Sequence, residues 1–421
     1  MGTAEISPIL DNAIHRPSSK GENGTPRHRT KSGSSARSRP LSKRKPRSLA
    51  RRIKHIITRH TWSLPLFLLV TAASLYALNP TESNILHRFI FPYYRIDDPS
   101  AAPGAPVQYG KGLWDIAFVS FHTIVLSFTR EFIMQEILRP LANAWGITSR
   151  RKQERFAEQM YTAIYFGISG PVGIYVMRQT PVWYFNTRGM YEAYPHKAHD
   201  ATFKFYYLFQ AAYWAQQAIV MLLGLEKRRK DFKELVGHHI VTLALIALSY
   251  RFHFAYIGIA IYLTHDVSDF FLAISKSLHY ANSRLVPVSF ALCIGWWIYC
   301  RHYLNIYILW SLLTDYRTVG PYGMDWDAGQ YKGFLSNVIT FGLLASLQAL
   351  NLFWLYCLLR SAYRFVVHKV IKDDRSEESE PEEAVAKEAL GDGVATGAST
   401  GVKANGTGVA AAPTKRNGAA L

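Results

Sequence analysis

Eight long apolar stretches constrain this chain of 421 residues more than any other feature of its sequence. They cover residues 62–79, 113–133, 158–177, 203–225, 236–252, 254–275, 286–312 and 334–360. Roughly twenty consecutive apolar residues are enough to cross a bilayer, where the backbone satisfies its own hydrogen bonds only as a helix or a closed barrel. The sequence therefore predicts an all-α, polytopic transmembrane bundle of about eight spans, with a tight turn or a re-entrant segment between the fifth and the sixth.

The two ends of the chain differ from this apolar middle. Residues 1–60 are basic and low in complexity, and residues 368–421 are first acidic and then low in complexity. Segments of this composition cannot bury enough apolar surface to fold, so both are predicted to be disordered tails. Between them we expect two N-terminal transmembrane helices in residues 61–150 and a domain of about six in residues 151–367.

The distribution of charge predicts the orientation and argues against nucleic acid as a partner. Much of the net charge of +18 lies in residues 27–54, next to the first apolar stretch, which is typical of a cytosolic anchor against anionic lipid. The aromatic residues lie in the apolar stretches and are not interleaved with that basic patch. The connections after the second and fourth spans are also basic, so both tails are expected in the cytosol.

This orientation bears on two kinds of modification site. The glycosylation sequons at Asn23 and Asn405 would lie in cytosolic tails and remain unmodified. Ser376 and Ser379 stand among glutamates, where a solvated tail and an acid-directed kinase site remain alternative interpretations.

A group of titratable residues interrupts the fifth and sixth predicted spans. His238 and His239 open the fifth, and Asp266 and Asp269 lie three residues apart, on one helical face, in the sixth. An aspartate at mid-membrane costs roughly 2.5 to 3.5 kcal/mol, so these side chains are expected to face a polar cavity or a partner. Imidazole held by a carboxylate suits acyl transfer. Alternatively, these histidines and aspartates are structural side chains at the membrane interface and take no part in a reaction.

Two further observations concern this group. Adjacent histidines converge poorly on one ion and the HxxHH pattern is absent, so no metal site is predicted. Arg301 lies in the seventh span with Asn305, where it either joins helices through hydrogen bonds or pairs with Asp266 or Asp269.

The segment "DFKELVGHHIVTLALIALSYRFHFAYIGIAIYLTHDVSDFFLAISKSLHYANS", residues 231–283, resembles the Lag motif of ceramide synthases, within the TLC domain. The likeness extends over about residues 151–367, and the acidic tail with its serines resembles the fungal type. The resemblance implies an endoplasmic reticulum enzyme that joins a fatty acyl group from acyl-CoA to the amine of a sphingoid base, either dihydrosphingosine or phytosphingosine. It implies no permanently bound cofactor, with acyl-CoA as co-substrate.

The resemblance also assigns residues. By motif match, His238 and His239 correspond to the essential histidine pair of the family, and Asp266 and Asp269 to its essential aspartates. A histidine then acts as a general base or as a transiently acylated nucleophile, and the sequence favours neither. The candidates for binding substrate, above all the phosphates of CoA, are Lys227, Arg228, Arg229, Lys230 and Arg301. The cationic loop can equally be explained by topology alone, and "SRRKQER" is a second basic segment on the same side.

Further expectations follow from the same resemblance. The luminal loop around residues 314–332 is expected to influence acyl length. The partners implied are acyl-CoA, the sphingoid base and membrane lipids, and the family pattern allows a homo- or hetero-dimer with another ceramide synthase and a small regulatory subunit. TLC domains also occur in proteins without acyltransferase activity. A non-catalytic lipid-sensing, transport or translocon-associated protein is therefore the alternative.

Overall fold

The computed structural model describes residues 60–97, 99, 103–226 and 229–368. The expectations about the two tails, including their sequons and serines, lie outside the described residues, as do Lys227 and Arg228. In the described part the chain is helical apart from loops and three strands of two residues each, which confirms the all-α prediction.

Eleven α-helices are present in the described residues, and each predicted span corresponds to one helix or one continuous helical run. They are α1 (Ser63–Ala77), α2 (His87–Ile90), α3 (Trp114–Phe132), α4 (Arg139–Ala144), α5 (Arg150–Arg178), α6 (Ala201–Leu222), α7 (Phe232–Arg251), α8 (Ala255–Tyr280), α9 (Val286–Ile298), α10 (Asn305–Thr318) and α11 (Phe334–His368). The π-helical segments Ile133–Leu138 and Tyr299–Leu304 join α3 to α4 and α9 to α10. A short 3-10 helix covers Arg188–Met190.

Five helical runs are long and apolar enough to cross a membrane. They are Trp114–Ala144, Arg150–Arg178, Phe232–Arg251, Ala255–Tyr280 and Phe334–His368. Helix α1 is apolar but has only 15 residues. Helix α6 and the run from α9 through α10 coincide with the other two predicted spans but are not among the five. The protein is therefore a multi-pass membrane protein with a helical core.

The helix that carries the third predicted span begins before its apolar stretch. The basic segment "SRRKQER" was expected in a loop, whereas α5 begins at Arg150 and the connection from α4 covers only residues 145–149. Arginine, lysine, glutamine and glutamate are good helix formers, so the helix extends beyond its apolar part. The ion pair between Arg155 and Glu158, 2.8 Å apart and one turn apart, stabilises this extension.

A small antiparallel sheet lies at one end of the bundle. Its strands are β1 (Arg95–Ile96), β2 (Gln108–Tyr109) and β3 (His199–Asp200), in the order β1-β2-β3. Beside it, Lys204 at the start of α6 is fully buried and lies 2.7 Å from Asp115 of α3. The same ammonium donates to the carbonyls of Tyr93 and Gly110, each at 2.7 Å. This buried cation therefore fixes the segment before α3 against α6.

Helices α5 and α8 pack against each other along much of their length and form the centre of the bundle. Gly173 permits the contact, because a Cβ there would lie 2.8 Å from Leu263 Cδ2 and would overlap the hydroxyl of Tyr206. Stacked aromatic rings join α5 to α6, with the centroids of Tyr165 and Tyr213 3.7 Å apart. The polar residues of α8 are thereby held against α5 and α6.

Candidate active site

The histidine pair lies in the first half of α7, buried between aromatic rings. His238 and His239 are only 5% and 7% exposed. The ring of His238 lies edge-on between Trp214 and Trp354, with centroids 5.6 and 5.3 Å away. Nδ1 of His239 lies 2.9 Å from the carbonyl oxygen of Leu235. Because a carbonyl only accepts, that nitrogen carries the proton and Nε2 keeps its lone pair.

Two cavities meet at His238 and Trp214, which line both. The first, which we call the apolar cavity, runs between α7, α8 and α11 to Trp326 and Tyr331 in the loop before α11. The second, which we call the vestibule, is lined by charged residues of both signs as well as by His239. His238 therefore stands where an apolar compartment joins a polar one.

The charged lining of the vestibule includes a buried ion pair. Arg301 NH2 lies 2.6 Å from Asp269 Oδ1, and its Nε and NH1 donate to Ser268 at 2.7 Å and Asn351 at 3.0 Å. The guanidinium also lies over the ring of Trp297, 4.1 Å from the centroid. Arg301 belongs to the π-helical segment between α9 and α10, a local irregularity that is frequent at functional sites. Of the two partners predicted for it, the structure selects Asp269.

The second aspartate lies elsewhere. Asp266 is completely buried and lines neither cavity. Its Oδ2 accepts from Ser169 at 3.1 Å, from Tyr206 at 3.4 Å and from Gln210. Those partners belong to α5 and α6, and among the described residues neither His238 nor His239 bonds to this carboxylate. The structure thus brings the histidine pair and Asp269 to one cavity but gives Asp266 a different set of contacts.

The predicted cations have different environments. Arg229 lines the vestibule and donates from Nε and NH2 to the two carboxylate oxygens of Asp231, at 2.9 and 2.7 Å. Lys230 is exposed to solvent. Lys227 and Arg228 lie outside the described residues. Lys276 of α8 also lines the vestibule and was not predicted.

Sequence reasoning also missed the residues that position His238. Trp354 of α11 donates from Nε1 to Asp231 Oδ2 at 3.1 Å, so the chain from Arg229 through Asp231 holds the indole against the imidazole. These contacts join segments 123 residues apart. The sequence does not distinguish Trp354 from the other aromatic residues of its span.

His265 is a third histidine at the site. It lines the apolar cavity together with His238 and is 4% exposed. The sequence offered a signal, since His265 directly precedes Asp266 in the same motif. Within the described ranges, no cluster of three or more His, Cys, Asp or Glu side chains is arranged to hold a metal ion.

Comparison with known proteins shows the family of this chain. The family model described as the TLC domain matches residues 155–360. A sphingosine N-acyltransferase-like protein of Gibberella moniliformis is 54% identical over 331 residues, which is 78% of this chain and 85% of the relative. The ceramide synthase LAG1 of Saccharomyces cerevisiae is 47% identical over 332 residues, covering 78% and 79% of the two chains. A sphingosine N-acyltransferase of Schizosaccharomyces pombe is 47% identical over 323 residues, covering 76% and 82%.

The fold and the site define a class of protein, a multi-pass membrane protein whose buried histidine pair separates an apolar cavity from a charged vestibule. The relatives make the assignment specific. The chain belongs to the sphingosine N-acyltransferase, or ceramide synthase, family of TLC-domain proteins.

Proposed function

We propose that the protein transfers a fatty acyl group from acyl-CoA to the amine of a sphingoid base and thereby makes ceramide. The observation that carries this proposal is the position of His238, at the junction of the two cavities. An acyl-CoA has a long apolar part and a polyanionic part that meet at the reacting thioester. With the acyl chain in the apolar cavity and CoA in the vestibule, the thioester would lie beside His238.

The vestibule offers cations for the phosphates of CoA. Arg229, Lys276 and Arg301 line it together with the carboxylates of Glu158, Glu226 and Asp269, and cations of this kind bind phosphate oxygens as forks or as point charges. Arg229 and Arg301 are already paired with aspartates, so each is held in a fixed geometry before substrate enters. Lys276 carries a point charge on a flexible four-carbon stem. We propose that these residues, together with the cationic loop before α7, hold the phosphates.

The reaction needs a group that accepts a proton near neutral pH. The new amide forms when the amine nitrogen bonds to the acyl carbon and the carbon–sulfur bond breaks, with one proton lost from the amine and one gained by the departing thiolate. His238 carries out this proton transfer as a general base, or it first takes the acyl group and then passes it to the amine. The neutral Nε2 of His239 is a second acceptor in the same cavity.

The two aspartates support the site in different ways. Asp269 keeps Arg301 buried at the wall of the vestibule, where its charge faces the position proposed for CoA. Asp266 joins α8 to α5 and α6 through Ser169 and Gln210, so we propose that it fixes the helix that carries the other polar residues. Neither role requires a direct bond from Asp266 to an imidazole.

The far end of the apolar cavity bears on acyl length. Trp326 and Tyr331 of the loop before α11 line this end. Lys332 anchors the loop, because its ammonium is buried, donates to the carbonyl of Val319 and lies over the ring of Tyr191, 5.5 Å from the centroid. We propose that this anchored loop sets the longest acyl chain that fits.

We further propose residence in the endoplasmic reticulum membrane with both termini in the cytosol. The basic segments near Arg150 and Arg229 support this orientation, since both lie at the vestibule end of their helices and CoA is a cytosolic substrate. A dimer with another ceramide synthase and a small regulatory subunit remain predictions from the family resemblance.

The direct test uses purified protein in lipid, a series of acyl-CoAs of increasing length, and dihydrosphingosine or phytosphingosine. We expect an amide product with at least one pair, and a defined optimum of acyl length. Intact mass of the protein after acyl-CoA alone separates the two mechanisms, since an acyl adduct on His238 indicates the nucleophilic route. The absence of amide with every pair would instead favour a non-catalytic TLC protein.

A further inference from the structure

Four polar atoms with no hydrogen-bond partner among the described residues belong to side chains that line the apolar cavity. They are Nε1 of Trp214, Nδ1 of His238, Oγ1 of Thr242 and the hydroxyl of Tyr262. A buried polar atom without a partner is unfavourable, so a native protein pairs such an atom with a ligand or with ordered water. The cavity otherwise has a mainly apolar lining, so these atoms mark the place where a polar group of a substrate is received.

The helical spacing places Thr242 and His265 at a similar depth, with Tyr262 nearer the joined ends of α7 and α8 and His238 farther from them. Thr242 follows His238 by one turn on the same face of α7, and Tyr262 precedes His265 by one turn on α8. The two helices are antiparallel neighbours joined by three residues. With a rise of about 1.5 Å per residue, Thr242 lies about 14 Å from the joined ends, Tyr262 about 10 Å and His265 about 15 Å, whereas His238 lies about 20 Å away.

His265 contributes an acceptor to this cluster. Its Nδ1 lies 2.9 Å from the carbonyl oxygen of Ile261, so that nitrogen carries the proton and Nε2 keeps a lone pair. The only described partner of Nε2 is the amide of Asn351, at 3.5 Å, which is the limit of a hydrogen bond. The oxygen of that amide, Asn351 Oδ1, accepts a hydrogen bond from Arg301 NH1. The NH2 group of Asn351 therefore points toward His265.

We infer that Thr242, Tyr262 and His265 form a subsite for the hydroxyl groups of the sphingoid base, next to His238. This inference deepens the proposed function and rests on it. A sphingoid base carries its amine between two hydroxyl-bearing carbons, so an amine that reaches His238 from the apolar cavity, alongside the acyl chain proposed there, brings its hydroxyls into that cavity. Burying a hydroxyl is costly unless it finds a partner, and the cluster offers two hydroxyls and one imidazole acceptor.

The test compares bases that differ by one hydroxyl. Purified wild type is assayed with dihydrosphingosine and with analogues that lack the C1 or the C3 hydroxyl, at fixed acyl-CoA. A site built to bond a hydroxyl discriminates strongly against the analogue that lacks it, so we expect kcat/KM to fall about tenfold or more for at least one analogue. In Thr242→Val or Tyr262→Phe, kcat/KM for dihydrosphingosine should exceed kcat/KM for that analogue by less than about threefold. KM for acyl-CoA should change less than about twofold.

Two controls keep loss of the subsite distinct from damage to the fold. Thr242→Ser restores the hydroxyl and should restore the discrimination. Tyr191→Phe is matched to Tyr262→Phe, because Tyr191 is equally buried but bonds to Ser311 at 2.7 Å and lies outside both cavities; it should leave the discrimination as in wild type.

The outcomes separate the subsite from the proposed function. If the wild type acylates all the bases but the Thr242 and Tyr262 variants keep its discrimination, or raise KM for acyl-CoA as much as KM for the base, the subsite is wrong and the proposed function stands. If the wild type acylates no base at all, the proposed function itself is overturned, and the subsite with it.

Discussion

The ion pair between Asp269 and Arg301 gives the sharpest quantitative prediction. The side chain of Arg301 is 3% exposed and that of Asp269 is 20% exposed, with 2.6 Å between the charged atoms. Asp269→Asn removes the negative charge and leaves the buried guanidinium without its counter-ion, while the bonds to Ser268 and Asn351 remain. Breaking a buried pair costs about 3–5 kcal/mol. The partial exposure of Asp269 and the two remaining bonds place the expected loss of stability near the lower end, at about 3 kcal/mol.

A double-mutant cycle isolates the pair from its surroundings. Arg301→Met removes the cation and the bonds to Ser268 and Asn351, and we expect it to cost about 3–4 kcal/mol. In Asp269→Asn/Arg301→Met no buried charge remains unpaired. The double variant should therefore lose at least about 2 kcal/mol less than the sum of the single losses.

The measurement is reversible unfolding of the purified protein in mixed micelles, followed for the four members of the cycle. The control cycle uses Arg150 and Glu154, whose ion pair at 3.3 Å has side chains 88% and 42% exposed; we expect its coupling to be below about 0.5 kcal/mol. Equal and small couplings in the two cycles would refute the view that Asp269 and Arg301 act as a buried pair.

Three further predictions concern other parts of the molecule. Burial lowers the pKa of Lys111 from 10.5 to about 7. Between these pH values the unfolded chain binds more protons than the folded chain, so the free energy of unfolding should rise with pH, by at most about 1.4 kcal/mol per pH unit. Unfolding of Lys111→Met measured from pH 7 to 10 should lack this rise, and an identical rise in the variant would exclude Lys111 as its source. Gly173→Ala should lower the free energy of unfolding by about 1–3 kcal/mol because its Cβ meets Leu263 and Tyr206, and an unchanged midpoint would show that the helices separate without cost. Trp326→Ala should shift the optimum toward longer acyl-CoAs in a competition assay, whereas an unchanged optimum would argue that the loop does not set the length.

The sequence predicted the helical class and the approximate spans because the requirements of a bilayer are local and strong. Apolar runs had to be helices, and the fifth and sixth predicted spans are α7 and α8, joined by a tight turn of three residues. The basic start of α5 was missed for a related reason. Hydropathy reports where a segment enters the apolar layer, whereas helix propensity lets the helix continue beyond it.

The contacts within the site were less predictable. Asp266 and Asp269 share a helical face, yet a rotation of about 60° between positions three residues apart is enough to give them different neighbours in a packed bundle. Asp266 bonds to Ser169 of α5 and Gln210 of α6, and Asp269 to Arg301 beyond α9. Such choices depend on how distant segments pack, and no pattern within one helix determines them.

The same limit applies to the two cavities. The sequence singled out His238 because two adjacent histidines in an apolar run are unusual, but it gave no reason to single out Trp354 or Thr242. Trp354 matters because Asp231, 123 residues away, holds it against His238. Thr242 matters because its hydroxyl finds no partner among the described residues, which only the assembled cavity reveals.

The central claim is that His238 carries out acyl transfer from CoA to a sphingoid base at the junction of the cavities. It is tested most directly by the rate of amide formation from acyl-CoA and dihydrosphingosine by purified His238→Ala. His122→Ala is the matched control, because His122 is 7% exposed, stacks on Phe118 at 3.9 Å and lines neither cavity. We predict a loss of about 10²- to 10⁴-fold for His238→Ala and a near-normal rate for the control. A rate for His238→Ala equal to that of the control would contradict the account.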